Sequence, residues 1–431
     1  MPIQTQFPIT FNSRTSSQWA AVAAPDTWAW EPPFTVQQQG STFRVDPDFD
    51  LEAYANITIA KTYYVTPDGN NGNSGADEAN ALASVSTALN KADVDRVLVK
   101  AGTYVGSNGW NNASPARSIK VMGYGGNVIL STHVEGLSWS AVDSHYEASY
   151  ATNIGTVVDF LALDDGGDGI PLVAAANAAA VDSTPGTWYY DATLDIIYVN
   201  TSDSRAPDAN IRCYISTTNG RMNDAVTYYV EGIEFHGGTS AFLAGIADAG
   251  AKLYFKNCAF KYTANTAASD GMLISGLGEV ICHNCVATRN GGDGFKVQLS
   301  GAVVANAALI DCIGRHNGRP GITNANGSSR HGPGNTIGIN CEFHDNYGPG
   351  LFDVTNDTQS WYLGCYSHDP ASASSRFGFA VQNIATLWLD GCESSGNADG
   401  DLYCDTGATI SYRNMTPATP TTSGGGTIQT Y

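Results

Sequence analysis

The chain has 431 residues, of which 47 are Gly and 21 are Tyr, and only 14% are charged. That length allows one large solenoid or two to three compact domains, and the composition suits tight-turned all-β structure while arguing against a helical bundle. A formal charge of −20 repels nucleic acid and anionic membranes, so neither is expected as a partner, and an anionic polysaccharide would need a local basic patch or a bridging cation.

In chain order, the opening MPIQTQFPITFNSRTSSQW lacks a basic region followed by an apolar core, so it does not read as a Sec signal peptide. No later stretch reaches the apolar length of a membrane-spanning helix, and no membrane insertion is expected. Residues 1–60 carry Trp19, Trp28, Trp30, Pro32 and Pro33 without any repeat. They read either as an attachment or oligomer-forming segment or as a lid over the first coil. Residues 61–132 start the solenoid: strand, polar turn, a short helix with the apolar stripe Leu82, Val85 and Leu89, then strand. An open solenoid end would add strands from other chains, so this helix is expected to cap it. Residues 133–225 read as an inserted β-rich excursion around Trp188, Tyr189 and Tyr190.

Residues 226–413 hold regular coils. Cys258, Cys285, Cys312, Cys341, Cys365 and Cys392 recur at steps of 27, 27, 29, 24 and 27. A turn former precedes each: Asn257, Asn284, Asp311, Asn340, Gly364 and Gly391. Three places before each cysteine stand Phe255, Cys282, Leu309, Gly338, Tyr362 and Leu389, a mostly apolar column that assigns Cys282 to the core rather than to a metal. Nine cysteines in all fit neither a disulfide scaffold nor a zinc site. Asn290, Asn317, Asn346 and Asn397 follow five residues after a cysteine, and Gly with an apolar residue recurs at Gly294-Phe295, Gly321-Ile322, Gly350-Leu351 and Gly378-Phe379. Strand, Asn turn, strand, Gly turn, strand is one rung of a solenoid whose equivalent residues stack about 4.8 Å apart. The fold expected is all-β: a right-handed single-stranded parallel β-helix over the C-terminal two thirds. Residues 414–431 read as a flexible Gly/Thr-rich tail.

YYVTPDGNNGNSGADEANALASVSTALNKA and DRVLVKAGTY resemble the opening of right-handed β-helix proteins of the pectate-lyase-like superfamily, and TPGTWYYDATLDIIYV resembles a segment inserted early in such helices. With the cysteine coils, the likeness covers residues 61–413. NGSSRHGPG and HDNYGPG look most like the β-helices of phage tailspikes. The resemblance implies the fold and a glycan as substrate class; it leaves the reaction open, because that superfamily holds lyases, hydrolases, epimerases and tailspikes.

Three constellations offer chemistry. Asp270 and Asp293 precede Gly in consecutive coils, which would bring their carboxyls about 5 Å apart. Such a pair suits glycosidase acid/base work or a shared cation, although an Asp before Gly ordinarily caps its own turn. A ridge three and four residues after the cysteines carries Arg289, Arg315, His316, His344 and His368, alongside Asp345 and Asp369. It would hold substrate carboxylates or move a proton; equally, it is a polar turn ladder in which each His bonds its own Asp. The stretch 324–335 reads as a protruding loop that sets Arg330 and His331 over a sheet face near Asp353. Asp270 and Asp293 are thus expected as an acid/base pair, His331 or His344 as the alternative base with Asp353 nearby, and Arg330 as the holder of a substrate carboxylate. The group Asp164, Asp165 and Asp168 reads as a turn. No cofactor is called for; calcium is left open.

The sequence expectation is a phage tailspike-like depolymerase that binds a bacterial surface polysaccharide and cleaves it by hydrolysis or elimination. It would be a homotrimer in the virion tail, joined to other tail proteins through residues 1–60. The rivals are a non-catalytic glycan-binding spike and a free-standing lyase or epimerase exported by a non-Sec route.

Overall fold

The computed structural model describes residues 18–431 except 323, 372–374 and 418–419. Strands pair in parallel through a solenoid of about 12 turns, and each regular coil contributes to three sheets. In the first sheet Ala305–Ile310, Gly334–Ile339, Thr358–Leu363 and Thr386–Asp390 lie side by side. In the second, Val286–Thr288, Ile313–Arg315, Glu342–His344 and Tyr366–His368 do so. The third contains Phe295–Gln298, Ser328–His331, Leu351–Val354 and Phe377–Gln382.

The turn between the first two sheets explains the residues before each cysteine. Asn257, Asn284, Asp311, Asn340, Gly364 and Gly391 all have φ between 51° and 62°, a left-handed conformation that Asn, Asp and Gly adopt at least cost. The cysteines that follow are buried, and their carbonyls accept the amides of Val286, Ile313, Glu342, Tyr366, Glu393 and Thr416 in the next coil, at 2.8–2.9 Å. The column three residues earlier is also in register, from Phe255 through Cys282, Leu309, Gly338 and Tyr362 to Leu389. Its one gap is functional in packing: a Cβ on Gly338 would lie 2.2 Å from the Tyr362 ring. After the second sheet, Asn290 donates to Asn317 (2.9 Å) and Asn317 to Asn346 (3.0 Å), while each also donates to a carbonyl of a neighbouring coil. These buried amides pair with one another and with the carbonyls of Phe260, Ala287 and Gly314 in second-sheet strands.

Two expectations fail here. Gly321-Ile322 is not part of the third sheet; Ser328 takes the place between Phe295 and Leu351. The stretch 324–335 is therefore no protruding loop, because Ser328–His331 is a strand and Gly334–Ile339 begins the next. Its inward positions hold Ser328 and Arg330 instead of apolar residues, which erased the alternation that marks a strand. The segment 414–431, expected as a flexible tail, supplies Thr422–Ser423 and Thr427–Thr430, paired with Gly400–Cys404 and Thr409–Arg413. Backbone pairing and the packing of Ile428 on the core hold them, with no repeating apolar pattern to signal it.

The first sheet is apolar on both faces, and its outer face is covered by the N-terminal segment. The hairpin Val36–Gln39 with Thr42–Val45 and the short helix Leu51–Tyr54 lay Trp30, Phe34, Phe43 and Leu51 on Tyr229, Tyr254, Ile281, Ile310, Ile337, Trp361 and Trp388. Trp28 meets Trp361 and Trp388 edge-on, at 5.9 and 6.2 Å between centroids. Residues 18–60 thus form a strap along the rod rather than a lid over its first coil. Residues 1–17, which the attachment expectation also included, lie outside the described residues. At the N-terminal end, the helix Val85–Leu89 buries Val85, Ala88 and Leu89 against Val65, Val94 and Val97. Between the strand Ile119–Ser131 and the coil that resumes at Gly220–Met222, the chain leaves the solenoid. There it makes two small, mainly antiparallel sheets with their own core of Val157, Leu172, Trp188, Ile197 and Cys213.

Candidate functional site

The ridge after the second sheet exists. Arg315, His344 and His368 share one register row, and Arg289, His316, Asp345 and Asp369 occupy the left-handed turn position that follows in successive coils, with φ from 48° to 58°. A left-handed residue turns the backbone sharply while presenting its side chain outward, so two polar rows run together along the rod.

Half of that ridge is covered by the chain itself. The acidic run Asp164–Asp168 of the inserted unit does form a turn, because Asp164 Oδ1 accepts the amides of Gly166 (3.0 Å) and Asp168 (2.8 Å). Its other oxygen takes Arg289 at 2.8 and 3.1 Å. Asp168 takes Arg315 at 2.7 Å and Lys261 at 2.9 Å. A Cβ on Gly166 would fall within the Arg315 guanidinium, so a larger residue there would push that side chain aside. Burial alone would raise the Asp164 carboxyl, but the Asp168 amide and the Arg289 guanidinium outweigh it and hold it below the usual carboxylate range. The expected role of Arg289 and Arg315 in holding a substrate carboxylate is therefore taken by internal carboxylates: partly buried guanidinium groups require counter-charge, and the insert supplies it. His316 lies under the same loop, its Nε2 3.5 Å from Asp165 and 3.6 Å from Asp164. Burial and the neighbouring Arg289 lower its pKa below the ordinary histidine value. Among the described residues, Asp164, Asp165 and His316 bring ligand atoms within 4.8 Å of one another, but a cation there would have to displace Arg289.

Beyond the loop the ridge continues through His344 and His368, whose side chains are 11% and 16% exposed. His344 stacks flat on His368 at 4.9 Å, and His368 on Tyr366 at 4.1 Å. His344 Nδ1 lies 2.7 Å from Asp345, a carboxyl that this contact holds below its ordinary value. An ionised carboxylate only accepts, so Nδ1 carries the proton and Nε2 presents a lone pair when the ring is neutral. His368 is engaged on both nitrogens, by Asp369 and Glu342 at 3.0 Å each. Burial pulls its pKa down, but those two carboxylates outweigh it and raise it. His368 is thus a clamped support for His344 rather than a free substrate-binding group.

Asp345 also lines a cleft of about 310 Å³ between the ridge and the inserted unit. Ile170, Pro171 and Val173 make one wall; Arg289, His316, Arg319 and Tyr347 make the other. Arg319, Asn265 and Tyr347 were not singled out from the sequence, because their positions became meaningful only once residues 133–225 folded over them.

Asp270 and Asp293 do come together. The Asp293 amide donates to Asp270 Oδ1 (2.9 Å), and Lys296 Nζ lies 3.4 Å from an oxygen of each. Asp293 also accepts the amide and side-chain N–H of Asn326 at 2.8 Å and the Ser329 hydroxyl at 2.6 Å. At 1% and 3% exposure, neither reaches a glycosidic oxygen, so the pair braces a turn and the acid/base role expected for it is not supported. Burial, reinforced by Asp293, pushes Asp270 up to about 7. A carboxyl raised in the folded state contributes stability that is full below about pH 4 and is lost as pH rises through 7. Asp270→Asn keeps an acceptor for the Asp293 amide. Thermal melts of this variant should match the native protein near pH 4 and exceed it at pH 8, by on the order of 2–4 kcal/mol; parallel curves at every pH would dismiss the effect. His331 stands on the third-sheet face, 3.8 Å from Asp293, and burial pulls its pKa below the ordinary value. It shares no site with His344.

Arg330 and Asp353 are interior. They pair in register on neighbouring third-sheet strands and are 2% and 1% exposed. Arg330 donates to the carbonyls of Gly332, Pro333, Asn335 and Ala305 and to the Thr336 hydroxyl. Burial raises the Asp353 carboxyl to about 6, with Arg330 opposing. At that burial neither side chain faces solvent, and the expected binding and catalytic roles are corrected to a structural one.

No protein-family description and no curated protein matches the chain. Among solved structures it is similar to a glycoside hydrolase (10% identity, TM-score 0.45, 86% of this chain and 96% of that one). It is also similar to the pectate lyase Pel9A (15%, 0.39, 81% and 78%) and to the tailspike protein gp49 from Pseudomonas phage LKA1 (10%, 0.26, 77% and 68%). Function has to be argued from the site itself.

Proposed function

We propose that this protein binds a polysaccharide along the ridge and cleaves it, with His344 as the proton-transfer group held by Asp345. The observation that carries the reading is the 2.7 Å contact from Asp345 to His344 Nδ1, made by a carboxylate that also lines the cleft. A carboxylate that fixes the ring and its tautomer leaves Nε2 as an acid/base of the kind glycan cleavage requires. The stacked His344, His368 and Tyr366 rings add a flat surface of the sort sugar rings pack against. This chemistry calls for no metal.

Within this reading the substrate is a bacterial surface polysaccharide and the protein a tailspike-like homotrimer of a virion tail. What supports that finer part is the likeness of NGSSRHGPG and HDNYGPG to phage tail β-helices. Incubation with a panel of capsular and exopolysaccharides tests cleavage. New reducing ends indicate hydrolysis, and absorbance of unsaturated uronate indicates elimination. Binding without either product would reassign the protein as a glycan-binding spike. Light scattering at three times the chain mass is the result expected for the oligomer, and a clean monomer would remove the tailspike assignment.

A further inference from the structure

The cleft beside the ridge holds two buried polar atoms that no protein group satisfies, Arg319 Nε and Asn265 Oδ1. Native proteins leave few such atoms, because each costs the desolvation of a hydrogen-bonding group. Arg319 is the most telling. It is 8% exposed, and its terminal nitrogens go to the Thr156 hydroxyl (2.6 Å) and the carbonyls of Thr263 (2.9 Å) and Arg289 (3.2 Å). Among the described residues no carboxylate lies within ion-pair distance of it, although Arg289 and Arg315 each have one. Arg319 is thus a buried cation that no carboxylate among the described residues pairs, and it lines the cavity. Across from it stands the apolar wall of Ile170, Pro171 and Val173, and Val173 is 48% exposed.

We infer that the cleft is a subsite for a carboxylate-bearing sugar, with Arg319 receiving the carboxylate and Asn265 Oδ1 accepting a ring hydroxyl. The apolar wall packs on the C–H face of the pyranose. A volume of about 310 Å³ lies at the small end of ligand pockets and suits a single sugar unit rather than a long segment. The inference rests on the reading of the chain as a glycan-acting protein and adds to it the charge of the substrate.

Calorimetric titration of the full-length protein with glucuronate, galacturonate and N-acetylneuraminate, each beside its uncharged counterpart sugar, tests it. At least one acid should bind tenfold or more tightly than its neutral partner. Asn265→Asp places a carboxylate where it claims the cation, so it should abolish that preference while leaving the melting temperature unchanged. Arg319→Gln should also abolish the preference, with a lower melting temperature because the bonds to Thr156, Thr263 and Arg289 are lost; the Asn265 variant separates the two effects. Equal binding of acid and neutral sugars, no binding of any, or an Asn265→Asp protein that keeps the preference would overturn the subsite. Acid-selective binding with no polysaccharide cleaved sinks the catalytic reading alone; cleavage of neutral polymers without acid selectivity sinks the subsite alone.

Discussion

Replacing Arg330 by alanine is expected to cost the fold about 5 kcal/mol or more, enough to exhaust the stability of an ordinary domain. The guanidinium donates to four carbonyls and one hydroxyl from inside the third sheet, and at 2% exposure no water replaces it. Truncation leaves those acceptors bare and opens a cavity. It also strands Asp353 without the nearby positive charge that opposes its protonation. Adding Asp353→Asn to the same chain should recover part of the loss, because one buried carboxyl is then removed. Urea unfolding of the two variants measures both effects. A single variant within about 1 kcal/mol of the native protein would falsify the interior assignment and return Arg330 to the list of surface groups.

His344→Asn should lower kcat by roughly 10²–10⁴-fold while KM stays close to its native value. The Asn amide keeps a donor near the place of Nδ1, so Asp345 remains paired, but the group that moves the proton is gone. Asp345→Asn attacks the same function differently: an amide that can donate no longer forces the proton onto Nδ1, and the ring can present the wrong nitrogen. Both should leave melting temperatures within a few degrees, since ridge side chains contribute little to the core. Once a cleaved polymer is in hand, full turnover by His344→Asn would move the chemistry elsewhere along the rod.

The coils were legible because the solenoid repeats its own punctuation. A buried thiol and the left-handed residue before it recur once per coil, and that is enough to set the register of remote strands. The ridge was legible for the same reason. What escaped was anything decided across the gap between residues 133–225 and the solenoid. Asp164 and Arg289 are 125 residues apart, and nothing in DDGGD says which guanidinium it will meet. The one hint was complementary charge, an acidic glycine-rich turn in a chain whose basic groups cluster on one ridge. Arg330 failed differently. Polar residues at inward positions hide a strand from any alternation pattern, and a buried Arg looks the same in sequence as an exposed one. Asp270 and Asp293 were paired correctly, but periodicity cannot tell a carboxyl facing a groove from one sealed inside a turn.

The strap of residues 18–60 has a bearing on how the rod comes apart. A stack held only by neighbours behaves as a one-dimensional chain, free to fray rung by rung from either end. Here a single ribbon touches Tyr229, Tyr254, Ile281, Ile310, Ile337, Trp361 and Trp388 at once, so no rung among them can open without shedding part of a contact shared by all. Melting of that stretch becomes a collective event, and a glycan pulled along the ridge would be resisted by the whole length of the rod instead of by the rung it grips.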